Sequence, residues 1–401
     1  MEVIEVVTRL GAPEGRANPY PLYAALHEIG EVVEAGPGGV LVVGYDAINS
    51  VLRDPGFLVS DETRFDEDFP GWRANPVFVQ GADWILNLNA PRHPRIRSPI
   101  ARAFTSRRIS GLEPAITTMA DELLDVMADR GADGSAVEFM HDFAYLLPVT
   151  VICELIGIPE ADREVFRPLA RDLAGVFEFT DAEALPAINA AATELLAYFT
   201  GLAARRRAGP RDDLLSDLLA VSDADSGQLT GAELLHNLTL LLAGFETTTN
   251  LLGNGLHIVL HDRPAGAALR DGSVPPSAFV EEVLRFDSPV QLTSRIGYDT
   301  KVGGVPVSAG TGVTTLIGAG NRDPRRFADP DRFDPMRADG GPLSFGAGAH
   351  FCIGAALARL EGKVAFPRLL NRFPKIAAAG EPVRRDRFVL RGFDELPVTV
   401  A

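Results

Sequence analysis

The run Phe345-Gly346-Ala347-Gly348-Ala349-His350-Phe351-Cys352-Ile353-Gly354 puts a cysteine behind a glycine-rich loop and ahead of an amphipathic stretch, Ala355 to Glu361. Gly346 and Gly348 accept backbone angles that a Cβ resists. Such a loop can turn its amide N–H groups inward, and a helix starting just after it adds its positive end. Both effects favour a thiolate, a soft metal ligand. Gly354 leaves room for something flat and wide against the first helical turn, and Phe345 offers an apolar plate. For a cysteine considered alone, a buried structural thiol is the other reading.

Three more groupings have spacings that matter. His93 and Arg97 follow Pro94-type first-turn chemistry at i,i+4, so an imidazole and a guanidinium share a face. Together they can clamp a carboxylate; otherwise they form a solvated basic face. Ala243-Gly244-Phe245-Glu246-Thr247-Thr248 sets an acid beside hydroxyls in an apolar helix, which is costly unless they have partners. Gly244, with back-bonding by Thr247, can open a polar notch in the helical ladder; alternatively the hydroxyls bond internally in an irregular core helix. Glu282 and Arg285 share a face at three-residue spacing, a pair that contributes little if exposed.

The pattern F-x-x-G-x-x-x-C-x-G around Cys352 resembles the haem-binding loop of the cytochrome P-450 family, whose cysteine thiolate is the proximal iron ligand. The H-x-x-x-R, A-G-x-E-T and E-x-x-R motifs occur in the family's order, over positions 93–361. Asn89-Ala90 stands where many relatives carry Asp-Pro. The resemblance implies a single triangular fold, mainly α with a small β region. Haem b (iron protoporphyrin IX) would lie between the helix containing Thr247 and the helix after Cys352. Cys352 would ligate iron, with Phe345, Gly348, Gly354, Ala243 and Gly244 around the cofactor. His93, Arg97, Arg295 and His350 would neutralise the propionates. Glu246 and Thr247 would relay protons to dioxygen. Glu282, Arg285 and Arg332 (placed by Pro330-Asp331-Arg332-Phe333) would hold the proximal scaffold.

The implied reaction is monooxygenation of a small organic substrate, with one atom of dioxygen inserted and the other released as water. The chain ends soon after the family core, so electrons are expected from a separate ferredoxin-type donor with its reductase. A peroxide-driven haem-thiolate oxidase is an alternative, although such relatives typically lack the acid–threonine pair. A non-catalytic haem gas sensor would share Cys352 without needing Glu246-Thr247, and a haem-free helical binding protein would need neither. Relatives of this kind are often bacterial and act in natural-product biosynthesis. Phe78, Val79, Leu242, Val290, Leu292 and Phe393 are candidate substrate contacts. Arg95, Arg102, Arg107, Arg108, Arg325, Arg326 and Arg359 fall in segments expected on the cysteine side. Singly they read as solvated charges, and together as a patch that steers an acidic ferredoxin.

Composition agrees with an enzyme of this class. Hydrophobic residues make up 46% of 401, enough for a substantial core. The two cysteines, Cys153 and Cys352, stand 199 positions apart, which gives neither a disulfide framework nor a paired zinc motif and suits a reducing cytoplasm. A net charge of −16 argues against nucleic-acid or anionic-membrane binding. The first residues, MEVIEVVTRLGAPEG, lack the features of a signal peptide or anchor, and the longest apolar runs are too short to span a bilayer. A soluble cytoplasmic protein is expected.

The elements that must position these groups are legible by period and punctuation. A helix is expected over 20–30, strands near 31–34 and 40–43, and a helix over 46–53. Residues 59–88 read as irregular, with Phe69, Trp72, Val77, Phe78 and Val79 facing a small molecule or plugging the core. From 112 to 262 the pattern is almost wholly helical. It includes Cys153 as a core thiol and a helix pair over 162–180 and 184–207. A capping box, Thr230 with Glu233, opens a helix running to about 262. Residues 289–317 turn strand-like, with Val302-Gly303-Gly304-Val305 as a tight hairpin. Residues 321–341 read as a meander, and 388–400 as a final hairpin turning at Arg391-Gly392-Phe393. One domain, 1–401, is expected, with the β region near 31–43 joining strands in 289–317 and the helical body over 92–286 and 353–373.

Overall fold

The computed structural model describes residues 2–36, 39–178, 183–224 and 227–400. By packing, the chain divides into two compact units. One comprises Met1–Leu58, Thr117–Leu146 and Thr247–Ala401; the other comprises Val59–Ile116 and Leu147–Glu246.

The first unit contains a four-stranded sheet in the order Val32–Glu34, Gly39–Val42, Gly312–Thr315, Thr293–Ile296. Gly39–Val42 and Gly312–Thr315 run parallel, and the other pairs are antiparallel. In Gly39–Val42 the buried residues alternate, Val40 and Val42 pointing to the core, as a strand of period two requires. That face meets Ile48, Val51 and Leu52 of the helix Tyr45–Arg53, together with Val313, Leu343 and Ala347. The sheet carries Arg295 opposite Val313. Thr300–Val302 and Val305–Val307 form the tight hairpin at Gly303-Gly304, both glycines having positive φ.

Two helices of this unit support the cysteine loop. Ala355–Arg372 packs on Pro276–Phe286 so closely that a Cβ on Gly362 would lie 2.8 Å from Val280. Phe245–His261 approaches the same helix, where a Cβ on Gly255 would lie 2.2 Å from the Phe366 ring. The chain end does not form the expected hairpin. Phe393–Glu395 pairs with Val383–Arg384, whereas Pro397–Thr399 pairs with Val137–Glu138 and Ala377–Ala378. A single buried residue, Leu396, separates the two strands, leaving no residues for a reversing turn. The helix Val3–Gly11, which buries Val6 and Leu10, lies outside the expected elements.

The second unit is helical. Its longest helix, Leu185–Ala208, buries Ile188, Ala191, Ala192, Leu195, Phe199, Leu202 and Ala203, an apolar stripe at three- and four-residue intervals. Arg163–Ala174 precedes it; residues 179 and 180, at the end of the expected helix, lie outside the described residues. The segment 59–88 is less irregular than its composition indicated. It folds as short turns, Phe65–Asp68, Trp72–Ala74, Pro76–Gly81 and Ile85–Asn87, pinned by buried Phe65, Trp72 and Ala82. Cys153 is buried inside Leu146–Ile156.

Candidate active site

Cys352 is exposed, two residues after the single turn Gly348–His350 and three before the helix that starts at Ala355. Its amide N–H donates to the Phe345 carbonyl at 2.9 Å, which closes the loop. Gly346 and Gly348 both have φ of 68°, and a Cβ on Gly348 would lie 2.3 Å from the Leu52 carbonyl oxygen. Glycine is therefore required at 348 for conformation and for close approach to the end of the Tyr45–Arg53 helix. Gly354 lies beside the thiol, since a Cβ there would come 3.9 Å from Sγ. The half-buried Phe345 ring carries the Arg359 guanidinium 4.4 Å from its centre, and Arg359 is held by Glu281. His350 is half-buried.

Arg295 is a buried cation, and Nη1 donates only to neutral oxygens, Thr293 Oγ1 at 3.1 Å and Ser294 O at 2.8 Å. Burial alone pulls its pKa down to about 10, with no carboxylate among the causes. A guanidinium so placed suits an anionic ligand. In the second unit His93 is buried, and burial, together with the charge of Arg97, pushes its pKa down to about 4. It is therefore neutral at pH 7, able to donate through one ring nitrogen. Among the described residues no group of three or more His, Cys, Asp or Glu could hold a bare metal ion. An exposed thiol on a glycine cradle, with a buried guanidinium suited to a carboxylate, fits an iron porphyrin better than a bare ion.

The long helix expected over 230–262 is two helices, Gly231–Ala243 and Phe245–His261, with a break at Gly244. There the Gly244 N–H bonds Leu241 O, three residues back rather than four. Gly244 is exposed, Thr247 half-buried and Glu246 buried. Leu242 and Ala243, expected against substrate and cofactor, are packed away with no accessible surface.

Glu282 and Arg285 form a buried, bidentate pair. The third arginine is not Arg332. The Arg332 side chain is 67% exposed on Asp334, and only its carbonyl joins the cluster, accepting from Arg285 and Arg337. Arg337 reaches both oxygens of Glu282, at 3.0 and 2.9 Å. The turn Asp334-Pro335-Met336, with Asp334 N–H donating to Glu282, aims the later arginine inward.

The substrate-contact expectations divide. Phe78 is half-buried, stacked on Phe69 at 5.0 Å, and Val79 is 41% exposed. Val290 is half-buried and bridges Leu390. Leu292 instead packs in the core with Leu22, Leu26, Val43 and Leu316. Phe393 is fully buried beside His257 and beneath the Arg384 guanidinium. Neither leaves surface for a substrate.

The expected arginine patch is mostly neutralised. Arg95 pairs with Glu233, Arg108 with Asp212 and Asp217, Arg325 with Asp323 and Glu31, and Arg359 with Glu281. Arg326 sits over Tyr45, Arg102 binds neutral Gln228, and Arg107 is exposed. Two buried acids had not been singled out: Glu361, whose Oε2 has no hydrogen-bond partner among the described residues, and Asp287, shared by Tyr20, Arg384 and Arg391.

The cytochrome P450 family model matches residues 277–389. The chain is 37% identical over 393 residues to the 6-deoxyerythronolide B hydroxylase of Saccharopolyspora erythraea, covering 94% of this chain and 95% of that protein. The chain belongs to the cytochrome P450 family. It is also 39% identical over 397 residues to the cytochrome P450 monooxygenase PikC of Streptomyces venezuelae, covering 95% of this chain and 91% of that one. Among solved structures it resembles the cytochrome P450 enzyme CxnD, described for C–S bond formation in chuangxinmycin biosynthesis. That match has a TM-score of 0.85 and 32% identity over 97% of this chain and 95% of the other. As a cytochrome P450 the chain is an oxidoreductase whose cofactor is haem b, carried on a mainly α fold with a small β region. Among the described residues no helix is long and apolar enough to cross a membrane.

Proposed function

We propose that the chain, working as one catalytic domain, is a haem-thiolate monooxygenase. It inserts one oxygen atom of dioxygen into a small organic substrate, by hydroxylation or epoxidation, in natural-product biosynthesis. The observation that carries this reading is the exposed Cys352 thiol, held by the Gly346–Gly348 loop at the start of a helix. When bound, the haem supplies the redox chemistry for splitting dioxygen.

The chain's residues do the rest. Cys352 would hold the haem through its thiolate. Arg295 and His350 would donate hydrogen bonds to the haem carboxylates, and the family resemblance gives His93 and Arg97 the same role. Thr247 holds a proton at Oγ1, and the buried Glu246 carboxyl replenishes it. Gly244 opens the notch beside them. Glu282, Arg285 and Arg337 brace the loop's surroundings. Electrons come from a separate ferredoxin-type protein and its reductase in the cytoplasm, with Arg102 and Arg107 left to attract an acidic partner. Support for the biosynthetic role comes from what the relatives are named for, the hydroxylation of 6-deoxyerythronolide B and chuangxinmycin biosynthesis.

The test is turnover under isotope-labelled dioxygen with ferredoxin, reductase and a panel of natural products. One labelled atom in the product is expected. Turnover with peroxide but not with reductant would favour a peroxide-driven oxidase, and haem reduction without any product a sensor.

A further inference from the structure

Glu233 occupies the third position of the Gly231–Ala243 helix, where its carboxylate closes the capping box on the Thr230 N–H at 2.9 Å. A capping glutamate normally lies at the surface and does no more than this. Glu233 is buried instead, and both oxygens are engaged from a second helix. Arg95 donates Nη1 to Oε2 at 3.0 Å and Nη2 to Oε1 at 2.5 Å, a parallel two-bond fork. Arg92 stands 3.8 Å away and also binds Asp83. These hydrogen bonds and the Arg95 charge hold the Glu233 carboxyl below its ordinary pKa, against the opposing effect of burial.

The same helix face makes two more attachments. His236 bonds Asp83 at 2.8 Å; Asn237 accepts from the Ile85 N–H at 2.9 Å and donates to the Asp83 carbonyl at 2.8 Å. Glu233, His236 and Asn237 stand at i, i+3 and i+4, so one face grips the start of the helix Arg92–Ala103 and the chain leading into it. That gripped turn contains His93, and Arg97 follows on the same face one turn later. Arg95 therefore works as a tie between two helices.

We propose that Glu233 is a positioning residue for haem binding. Through Arg95 and Arg92 it fixes the first turns of the Arg92–Ala103 helix, and so the donor atoms of His93 and Arg97. The inference rests on the reading of His93 and Arg97 as contacts to the haem carboxylates. A carboxylate clamp needs both donors in register, and a turn free to fray offers them only part of the time.

The test measures the rate of haem transfer from the full-length holoprotein to apomyoglobin, together with the haem reduction potential. Glu233→Gln keeps an oxygen for the Thr230 cap but gives up the charge and the fork. Arg95→Gln removes the other partner. Each should speed haem loss about tenfold or more, the size of a lost charge-assisted pair, and the double variant should be no faster than either. The reduction potential should shift in Glu233→Gln and in Arg97→Gln alike. Thr230→Ala, which weakens the cap and leaves both arginines in place, should leave the potential unchanged. In a His93→Ala, Arg97→Gln background, Glu233→Gln should add nothing. Haem loss at the parental rate in Glu233→Gln, with fast loss in the His93→Ala, Arg97→Gln protein, would overturn the positioning role alone. Parental haem retention in that background would overturn the contacts themselves and this inference with them. Further acceleration by Glu233→Gln there would show general loosening of the helix and also overturn the proposal.

Discussion

Arg285 lies alongside Glu282, its Nε and Nη2 each 2.8 Å from a different carboxylate oxygen. The rest of its donors go to the carbonyls of Asn321, Pro330 and Arg332. A buried pair this fully satisfied is costly to break from one side, because the remaining charge is stranded. Glu282→Ala should lower stability by on the order of 3–5 kcal/mol and yield little haem-loaded protein. Arg337→Ala should lower it less, and Arg332→Ala, which retains the carbonyl, should melt like the parent. Denaturant midpoints give the ranking; a Glu282→Ala protein as stable as the parent would reduce the pair to an ornament of the surface.

Thr247→Ala should keep substrate binding and lose coupling. Removing Oγ1 leaves the Gly244 break in place but takes away the hydroxyl proposed to pass protons on. Hydrogen peroxide formed per reductant should rise while product falls. Unchanged coupling would transfer the role to Thr248 or to water.

Protonation affects stability in two opposite directions. Burial lowers the pKa of His93 and of His257 to about 4, so each is favoured as a neutral base. Their stabilising contribution is complete above the unfolded pKa of about 6.5 and is lost as pH falls toward 4. Burial raises Glu361 to about 8, so the fold favours its neutral acid. That contribution is present below about 4.5 and is lost as pH rises through 8. Glu361→Gln should therefore flatten the decline in stability between about pH 5 and 8 and leave the acid limb in place. An unchanged slope in urea titrations across that range would mean that Glu361 is ionised in the fold.

The sequence carried the cysteine loop, the capping box and the Gly303-Gly304 hairpin because each is specified within a few residues. Gly244 offers a loosened ladder as one of two local readings, and the single helix expected to 262 is divided there. Arg337 is not legible locally because its role depends on how the 321–341 meander folds back on Glu282, which no local period encodes. Leu292 and Phe393 were misplaced by analogous reasoning: their neighbours in sequence are polar or turn-forming, and only tertiary packing buries them. Arg95 reads as a solvated cation from sequence alone because its partner, Glu233, lies 138 positions away.

Electron delivery should respond to charge at few positions. Raising salt from about 0.05 to 0.5 M shortens the screening length roughly threefold and should slow reduction by an acidic ferredoxin. Arg102→Glu and Arg107→Glu should reproduce the slowing without altering substrate affinity. Arg108, already committed to Asp212 and Asp217, should have a smaller effect on the rate. Rates insensitive to salt and to both reversals would place docking elsewhere.

The central claim is that the Cys352 thiolate is the protein's bond to iron. The most direct measurement is the absorption spectrum of the reduced carbon monoxide complex in the parent, Cys352→Ala and Cys153→Ala proteins. The parent and Cys153→Ala should show the band of a thiolate-ligated haem, and Cys352→Ala should lack it. A thiolate-type band that survives in Cys352→Ala would contradict the assignment.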